Sequence, residues 1–260
     1  MSRPGWEVDH RHATAADLLA RWPAPDRRSR RVVAVCEVSG PPALVLGSTQ
    51  SVRSEQVPGA APGPGGCPSR TRHRHVVVRR RTGGGAVLVG PGQQAWVDVW
   101  LPRGDPLWDD DVVRSAGWLG TAWVSALHRM GIPPERLQIH RFGLRPTTWS
   151  PTVCFASVGP GEVLADGRKL MGLAQRRTGE GAWFHTAALR RWRPAELVAA
   201  LAAAGAAPVG LVAPAAGDGL LDMACGLGDV PDVPRRFGDP AAVAAAVADA
   251  VVEAFRRSPR

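Results

Sequence analysis

Residues 79–94 combine arginines with glycines in a way that suits the binding of an anion. The stretch reads RRRTGGGAVLVGPGQQ, so three arginines lead directly into Gly83, Gly84 and Gly85. A run of glycines lets successive backbone N–H groups approach a ligand, and beside arginines these groups would cradle a carboxylate or a phosphate. A flexible hairpin loop with a solvated basic flank would have the same composition, so the residues alone leave both interpretations open.

Lys169 is the only lysine in the chain, while every other basic side chain at neutral pH is an arginine. A lysine offers a compact, freely rotating point charge, whereas an arginine offers a wide planar fork. Lys169 lies in GRKLMGLAQ beside a glycine turn. It is therefore a candidate to hold a carboxylate or the bridging oxygen of an acyl-phosphate, and the alternative is a surface lysine retained by chance.

Cys154 is a candidate nucleophile, because thiolate chemistry needs only a base or a positive charge close by. His185 is the nearest candidate base and is expected one or two strands away. A small buried cysteine and a structural histidine are the alternatives. We expect no metal site, because the four cysteines (Cys36, Cys67, Cys154 and Cys225) form no C-x-x-C pair and His73, His75 and His128 lack metal-ligand spacing.

Composition limits the classes of partner. The formal net charge of the 260-residue chain is +9, which favours an acidic partner or an anionic substrate. The strong preference for arginine over lysine indicates a genome-wide coding bias, and the basic residues at 70–81 lack interleaved aromatics, so nucleic acid is not expected. The sequence shows no signal peptide and no membrane-spanning run, and its cysteine usage fits a reducing cytoplasm.

The elements that must position these residues are mainly strands. Hydrophobic patterns predict strands followed by a hairpin through Asp166-Gly167, with a mobile loop at about 54–74. The predicted strands are 31–38, 43–47, 95–101 (central and buried), 137–142, 152–158 (carrying Cys154), 162–164, 169–176 and 182–189. The predicted helices are 14–22, 107–130, 194–204 and 240–256. This order predicts an α+β fold in which helices cover one side of a mixed sheet.

Four of these stretches together resemble the biotin/lipoate protein ligase catalytic domain, and more closely its lipoate–protein ligase A branch. They are ALVLGSTQ (43–50), RRRTGGGAV (79–87), GRKLMGLAQ (167–175) and FHTAAL (184–189). The second is similar to the family's R-R-x-S-G-G-G-A-V loop and the third to its K-x-x-G-x-A motif. The likeness spans about residues 30–200, and the biotin branch carries a different G-R-G-R loop.

The resemblance implies a class II synthetase-like catalytic domain with a mixed β-sheet flanked by helices. We expect a single domain over residues 1–260, with a core at about 30–200, a helical C-terminal part at about 190–257 and no separate C-terminal accessory domain. It also implies an enzyme that attaches lipoate or octanoate to a lysine of a lipoyl domain. Such acceptors are the lipoyl domains of 2-oxoacid dehydrogenase complexes and the glycine cleavage H protein.

In the ligase version, which is the favoured hypothesis, the resemblance implies that the acid reacts with ATP and Mg²⁺ to give an acyl-adenylate. Lys169 would contact the activated carbonyl, while the glycine loop would line the acyl and phosphate sites. The matching substrate-binding positions are Arg79, Arg80, Thr82, Gly83, Gly84, Gly85, Gly172 and His185. An arginine–glycine loop and one lysine suit a mixed anhydride with negative charge on its phosphate.

Two features of the sequence depart from the ligase pattern. Val89 precedes G-P-G-Q, which resembles the related octanoyltransferases although those carry a histidine at this position, and Thr186 replaces a glycine. The run from Cys154 to Arg176 is similar to octanoyltransferases that form a thioester on a cysteine and need no ATP, with the acyl group delivered by acyl carrier protein. A third alternative is a non-catalytic protein that binds acyl groups or lipoyl domains.

Overall fold

The computed structural model describes residues 5–20, 23, 25–52, 75–207 and 219–256. The loop expected at about 54–74, with Cys67, lies outside the described residues. The strands are β1 (Trp6–Ala13), β2 (Arg31–Val38), β3 (Ala43–Leu46), β4 (Val76–Arg79), β5 (Val87–Val89), β6 (Gln94–Pro102), β7 (Leu137–Ile139), β8 (Val163–Ala165), β9 (Arg168–Arg177) and β10 (Gly181–Leu189). The helices are α1 (Ala15–Ala20), α2 (Gly117–Arg129), α3 (Pro194–Ala203) and α4 (Pro240–Arg256).

The strands form two mixed sheets. The larger has seven strands in the order β1-β2-β6-β10-β9-β8-β7, and only its edge pair β1–β2 is parallel. The smaller has three strands in the order β4-β3-β5, with β4 parallel and β5 antiparallel to β3. The expected α+β class with mixed sheet is confirmed, and the division into two sheets is new.

Helices α2 and α4 pack together on one face of the large sheet. Their apolar side chains share a core with alternate residues of β6 and β10, including Val97, Val99 and Phe184. Helix α3 instead packs on β3 and α1 packs between β2 and the small sheet, so the helices do not all lie on one side. The opposite face of β6, β9 and β10 faces the small sheet.

Most predicted strands and the hairpin are confirmed. The turn between β8 and β9 has Asp166 and Gly167 in the left-handed region, with φ of 49° and 79°, as an Asp-Gly hairpin requires. Strand β6 is fully buried from Gln94 to Leu101, as its apolar sequence predicts. Among the described residues, no helix is long and apolar enough to cross a bilayer.

Two predicted elements are wrong. The helix expected at 107–130 begins only at Gly117, because the carboxylates of Asp109 and Asp111 accept hydrogen bonds from nearby backbone N–H groups and hold a series of turns instead. The strand expected at 152–158 is a 3-10 turn at Cys154–Ala156. The Cys154 N–H donates to Ala86 O rather than to a sheet neighbour, so the predicted nucleophile lies on a turn.

Candidate functional site

A cavity of about 70 Å³ lies between the two sheets. Small side chains at Gly172, Ala174 and Ala187 leave space on the face of β9 and β10 that points away from α2 and α4. Its walls are otherwise largely apolar, with Cys154, Arg80 and His185 as the ionisable groups. The remaining lining residues are Leu19, Val45, Val87, Val89, Trp96, Phe155, Leu173 and Thr186. The apolar walls suit contact with part of an acyl chain, with polar chemistry at the margins.

Cys154 is half-buried at the wall of this cavity. Its Sγ lies 3.8 Å from Nη2 of Arg80, and its backbone N–H donates to Ala86 O over 2.9 Å. A guanidinium at this distance stabilises negative charge on sulfur, which is the form of a cysteine that reacts. The structure therefore brings Cys154 together with a charge that the sequence had assigned to substrate binding.

The guanidinium of Arg80 is buried, with 6% of the residue exposed. Nη2 donates to Gly83 O over 2.7 Å and to Gly85 O over 2.8 Å, while Nε donates to Gly83 O over 3.2 Å. Among the described residues, no carboxylate forms an ion pair with Arg80. Its charge is therefore left to act on Cys154 and on whatever binds the cavity.

The glycine loop is shaped by close packing. A Cβ at Gly47 would lie 1.8 Å from Gly84 O, and one at Gly85 would lie 2.4 Å from Val153 N. Gly84 has φ of +93°, in the region that favours glycine. The side chain of Gln50 accepts from Gly47 N–H over 2.8 Å and donates to Thr152 O over 3.1 Å, which ties the end of β3 to the segment before Cys154.

The same loop keeps donors available. Gly83 and Gly84 are exposed, and their N–H groups donate to no backbone carbonyl of the described residues. Thr82 is 2% exposed, and among the described residues its Oγ1 has no hydrogen-bond partner. Arg79 donates to Ser48 O and Gln50 O and points outward. The loop thus combines a packing role with the features of an anion cradle.

Lys169 is buried, with 1% of the residue exposed. Its Nζ donates to Cys154 O and Ser157 O, each over 2.9 Å, and forms an ion pair with Oε2 of Glu162 at 2.8 Å. An ammonium has three N–H donors, so the protein uses all of them. In this geometry Lys169 holds the backbone of the turn that carries Cys154.

His185 faces the cavity from β10. Its Nδ1 lies 2.8 Å from Oδ1 of Asp98, its cross-strand partner on β6. Asp98 is buried and also accepts from the indole N–H of Trp96 and Trp183, over 2.6 and 3.2 Å. Because a carboxylate only accepts, the Nδ1–H of His185 donates to Asp98, and Nε2 is the nitrogen left for other contacts.

Glu162 and Asp98 are the residues that sequence reasoning missed. Their signal was weak: one carboxylate within an otherwise apolar stretch in each case. The other described cysteines do not line the cavity, and Cys36 is buried on β2. Burial raises the pKa of Cys225 to about 11, which keeps it in the unreactive thiol form.

A second, more polar cavity adjoins the glycine loop. This cavity of about 550 Å³ adjoins Gly84 and has hydroxyl and amide groups from Thr49, Gln50 and Ser150. These groups and the loop N–H groups fit phosphate oxygens. None of the residues that line this cavity is acidic, and no group of three or more metal-ligating side chains occurs in the described residues.

Comparison with known proteins identifies the family of the chain. The sequence profile of the lipoyl protein ligase A/B catalytic domain matches residues 24–209, which is more than half of the chain. The chain belongs to this family. The match includes the glycine loop, Cys154, Lys169 and His185, and the family membership expected from the four motifs is confirmed.

Solved structures of lipoate ligases share the fold of this lipoyl protein ligase family member. A lipoate–protein ligase A bound with ATP superposes with a TM-score of 0.54 and 18% identity, covering 87% of this chain and 73% of that one. A putative lipoate protein ligase from T. acidophilum with bound lipoic acid gives 0.56 and 15%, covering 98% and 87%. Curated proteins yield no sequence match. At such identities, the superpositions show the fold and leave the activity open.

A third solved structure concerns assembly. It is an archaeal lipoylation system from Thermoplasma acidophilum, a bipartite lipoate protein ligase with its E2 lipoyl domain. Its ligase superposes on this family member with a TM-score of 0.55 and 16% identity, covering 98% of this chain and 86% of that one. Lipoyl domains are thus partners of a protein with this fold.

Proposed function

We propose that this protein transfers an octanoyl or lipoyl group to a lysine of a lipoyl domain through a thioester on Cys154. One observation carries the proposal: the Cys154 sulfur lies at the wall of an apolar cavity, 3.8 Å from the buried guanidinium of Arg80. A nucleophile, a positive charge and an apolar surface meet at one cavity, which is the arrangement that covalent acyl transfer needs.

The reaction has two balanced steps. Cys154 Sγ attacks the carbonyl carbon of an acyl thioester donor, the donor's C–S bond breaks, and the Cys154 proton ends on the released donor thiol. The amine of the acceptor lysine then attacks the Cys154 thioester, an amide forms, and the Cys154 thiolate recovers the proton that the amine loses. His185, which is oriented by Asp98 and lines the same cavity, is suited to carry that proton.

A second candidate is the ATP-dependent ligase, which one observation favours. Gly84, an exposed residue of the glycine loop, lines a polar cavity that suits phosphate oxygens. ATP would activate the free acid as an acyl-adenylate, and the N–H groups of this loop with Arg79 would hold its phosphate. Lys169 contacts the activated carbonyl in this version only if it releases a backbone acceptor, since its three N–H groups are engaged in the structure.

The expected protein partners are acidic. With a net charge of +9, this protein would attract lipoyl domains of 2-oxoacid dehydrogenase complexes, or a glycine cleavage H protein, as acceptors. Acyl carrier protein is the expected donor for the Cys154 route. A solved ligase of the same fold is described together with its E2 lipoyl domain, which supports the acceptor class.

Mass spectrometry of an apo lipoyl domain separates the two routes. One reaction contains octanoyl–acyl carrier protein without ATP, and the other contains octanoate or lipoate with ATP and Mg²⁺. We expect acceptor modification in the first, with an octanoyl thioester trapped on Cys154. Cys154→Ser should abolish it, whereas Cys36→Ser, at a buried cysteine outside the cavity, should leave it intact.

The other outcomes have defined meanings. Modification only with ATP, unchanged in Cys154→Ser, would establish the ligase and make Cys154 structural. Acyl binding without any transfer in either reaction would favour the non-catalytic alternative.

A further inference from the structure

Glu162 is a buried carboxylate whose bonds are all to groups around the Cys154 turn. The residue is 3% exposed. Its Oε2 forms the ion pair with Lys169 at 2.8 Å and accepts from Gly159 N–H over 2.7 Å. Its Oε1 accepts from Leu173 N–H on β9 over 2.9 Å. One side chain thus connects the lysine, the loop before β8 and a strand that lines the cavity.

Glu162 reaches Cys154 through Lys169. The Lys169 ammonium contacts Cys154 O and Ser157 O, which are the two ends of the 3-10 turn that presents the thiol. Among the described residues, Glu162 is the only carboxylate that contacts the Lys169 ammonium. A buried ammonium without a carboxylate would lose the compensation for its desolvation, so the orientation of Lys169, and with it the turn, depends on Glu162.

The backbone around Glu162 is held firmly against α2. A Cβ at Gly161 would lie 2.6 Å from Ala116 Cβ, and one at Gly120 would lie 2.5 Å from Gly161 O. In addition, His140 N–H donates to Glu162 O over 2.9 Å. The carboxylate is therefore anchored to the helix side of the fold, and it can act as a fixed reference for Lys169.

We propose that Glu162 is a positioning residue that sets the place of the Cys154 thiol through Lys169. This inference rests on the proposed transfer through Cys154. The alternative is an ion pair that contributes only to stability. The two roles differ in what they change: a stability role alters the fraction of folded protein, whereas a positioning role alters the rate constant of each folded molecule.

The test compares Glu162→Gln with Asp166→Asn. Asp166 lies in the turn of the β8–β9 hairpin, which begins directly after Glu162, and its side chain contacts Arg136 rather than Lys169. Asp166→Asn removes the same charge as Glu162→Gln, and asparagine tolerates the positive φ at this position. Each full-length protein is mixed with octanoyl–acyl carrier protein, and the octanoyl thioester on Cys154 is followed by rapid quench and mass spectrometry. The rate constant reports positioning, and the amplitude reports the folded fraction.

We expect Glu162→Gln to lower the rate constant of thioester formation about 10-fold to 100-fold, because small misplacements of a nucleophile have effects of this size. The amplitude and the donor concentration for half-saturation should stay within about twofold of the wild type. Asp166→Asn should keep the wild-type rate constant. Glu162→Asp, which retains the charge, should recover part of the rate and carries the test if Glu162→Gln does not fold.

The double variant Glu162→Gln with Lys169→Met removes both charges and should be more stable than Glu162→Gln alone, with no recovery of rate. A double variant that regains both stability and rate would overturn the positioning role, as would a wild-type rate constant in a folded Glu162→Gln protein. No thioester on the wild type would instead overturn the proposed function, and this inference with it.

Discussion

Two buried cations flank Cys154, and their partners give them different roles. Lys169 forms an ion pair with Glu162, and its ammonium donates two hydrogen bonds to the backbone carbonyls of Cys154 and Ser157. Arg80 bonds only neutral carbonyls and faces the sulfur. A cation without a carboxylate retains its field, so Arg80 is the better source of positive charge at the thiol and at the acyl carbonyl.

Arg80→Lys should slow thioester formation on Cys154 by at least about 10-fold, because an ammonium cannot reproduce the planar fork that bonds Gly83 O and Gly85 O while reaching the sulfur. Single-turnover mass spectrometry with octanoyl–acyl carrier protein measures the rate. Arg103→Lys, at an exposed arginine after β6, is the control. An Arg80→Lys protein with the wild-type rate and a wild-type melting temperature would contradict this role.

At the residue scale, sequence motifs identify the side chains that meet at the cavity but not what holds them. Lys169, Cys154 and His185 stand in recognisable motifs. Glu162 and Asp98 do not, because their importance comes from a bulged hairpin and from a cross-strand register that no local pattern specifies.

Thr186 shows the converse case, in which a departure from the family motif has a structural explanation. Thr186 stands where the ligase motif has a glycine. In the structure, its Oγ1 donates to Val97 O over 2.6 Å and accepts from the Trp123 indole over 3.0 Å. The hydroxyl thus joins β10 to β6 and to α2 on the core side of the strand, while Thr186 also lines the cavity.

At the element scale, the glycine loop and the Cys154 turn form one unit. Ala86 N–H donates to Thr152 O over 2.7 Å, and Cys154 N–H donates back to Ala86 O over 2.9 Å. Residues 152–158 have a strand-like pattern of side chains, which is why a strand was expected there. In the structure, only two isolated bridges form, at Ala86–Val153 and at Arg145–Val158. Tertiary contacts decided the conformation there, and these contacts are not visible in a local pattern.

Gly85→Ala tests this unit. The new Cβ would lie 2.4 Å from Val153 N and 2.7 Å from Cys154 N, so the loop or the turn must move. We expect a loss of about 1–3 kcal/mol in the free energy of unfolding and slower acylation of Cys154.

The matched variant for stability is Gly83→Ala. A Cβ at Gly83 meets nothing within 4 Å, and the free energy of unfolding should change by no more than about 0.5 kcal/mol. Urea denaturation of both proteins measures the difference. Equal stabilities would show that the loop tolerates a side chain at Gly85 and that the close packing is not limiting.

At the scale of the whole molecule, the site exists because two sheets face each other. The large sheet gives one face to α2 and α4 and the other to the small sheet, and the cavity lies in the second interface. The strands themselves follow from hydrophobic patterns, but their division between two sheets depends on pairings between distant segments. Sequence reasoning therefore predicts the fold class and most strands and leaves the cavity undefined.

The cavity also predicts how the protein selects acyl chains. Gly172 lies beside Phe155 on the Cys154 turn, and Ala174 lies two residues further along β9, about 6–7 Å away, opposite His185. An acyl group bound to Cys154 would extend towards Ala174. Three additional carbon atoms there would narrow the cavity along this wall.

Ala174→Leu should therefore move the preference from octanoyl to shorter thioesters, with about a 10-fold or greater loss for octanoyl relative to butanoyl. Rates of Cys154 acylation across a series of acyl thioesters measure the shift, and Ala174→Ser, which keeps the size of the side chain, should leave the profile unchanged. A uniform loss at every chain length would mean that the acyl chain lies elsewhere, since a side chain that only blocks the end of the cavity must discriminate by length.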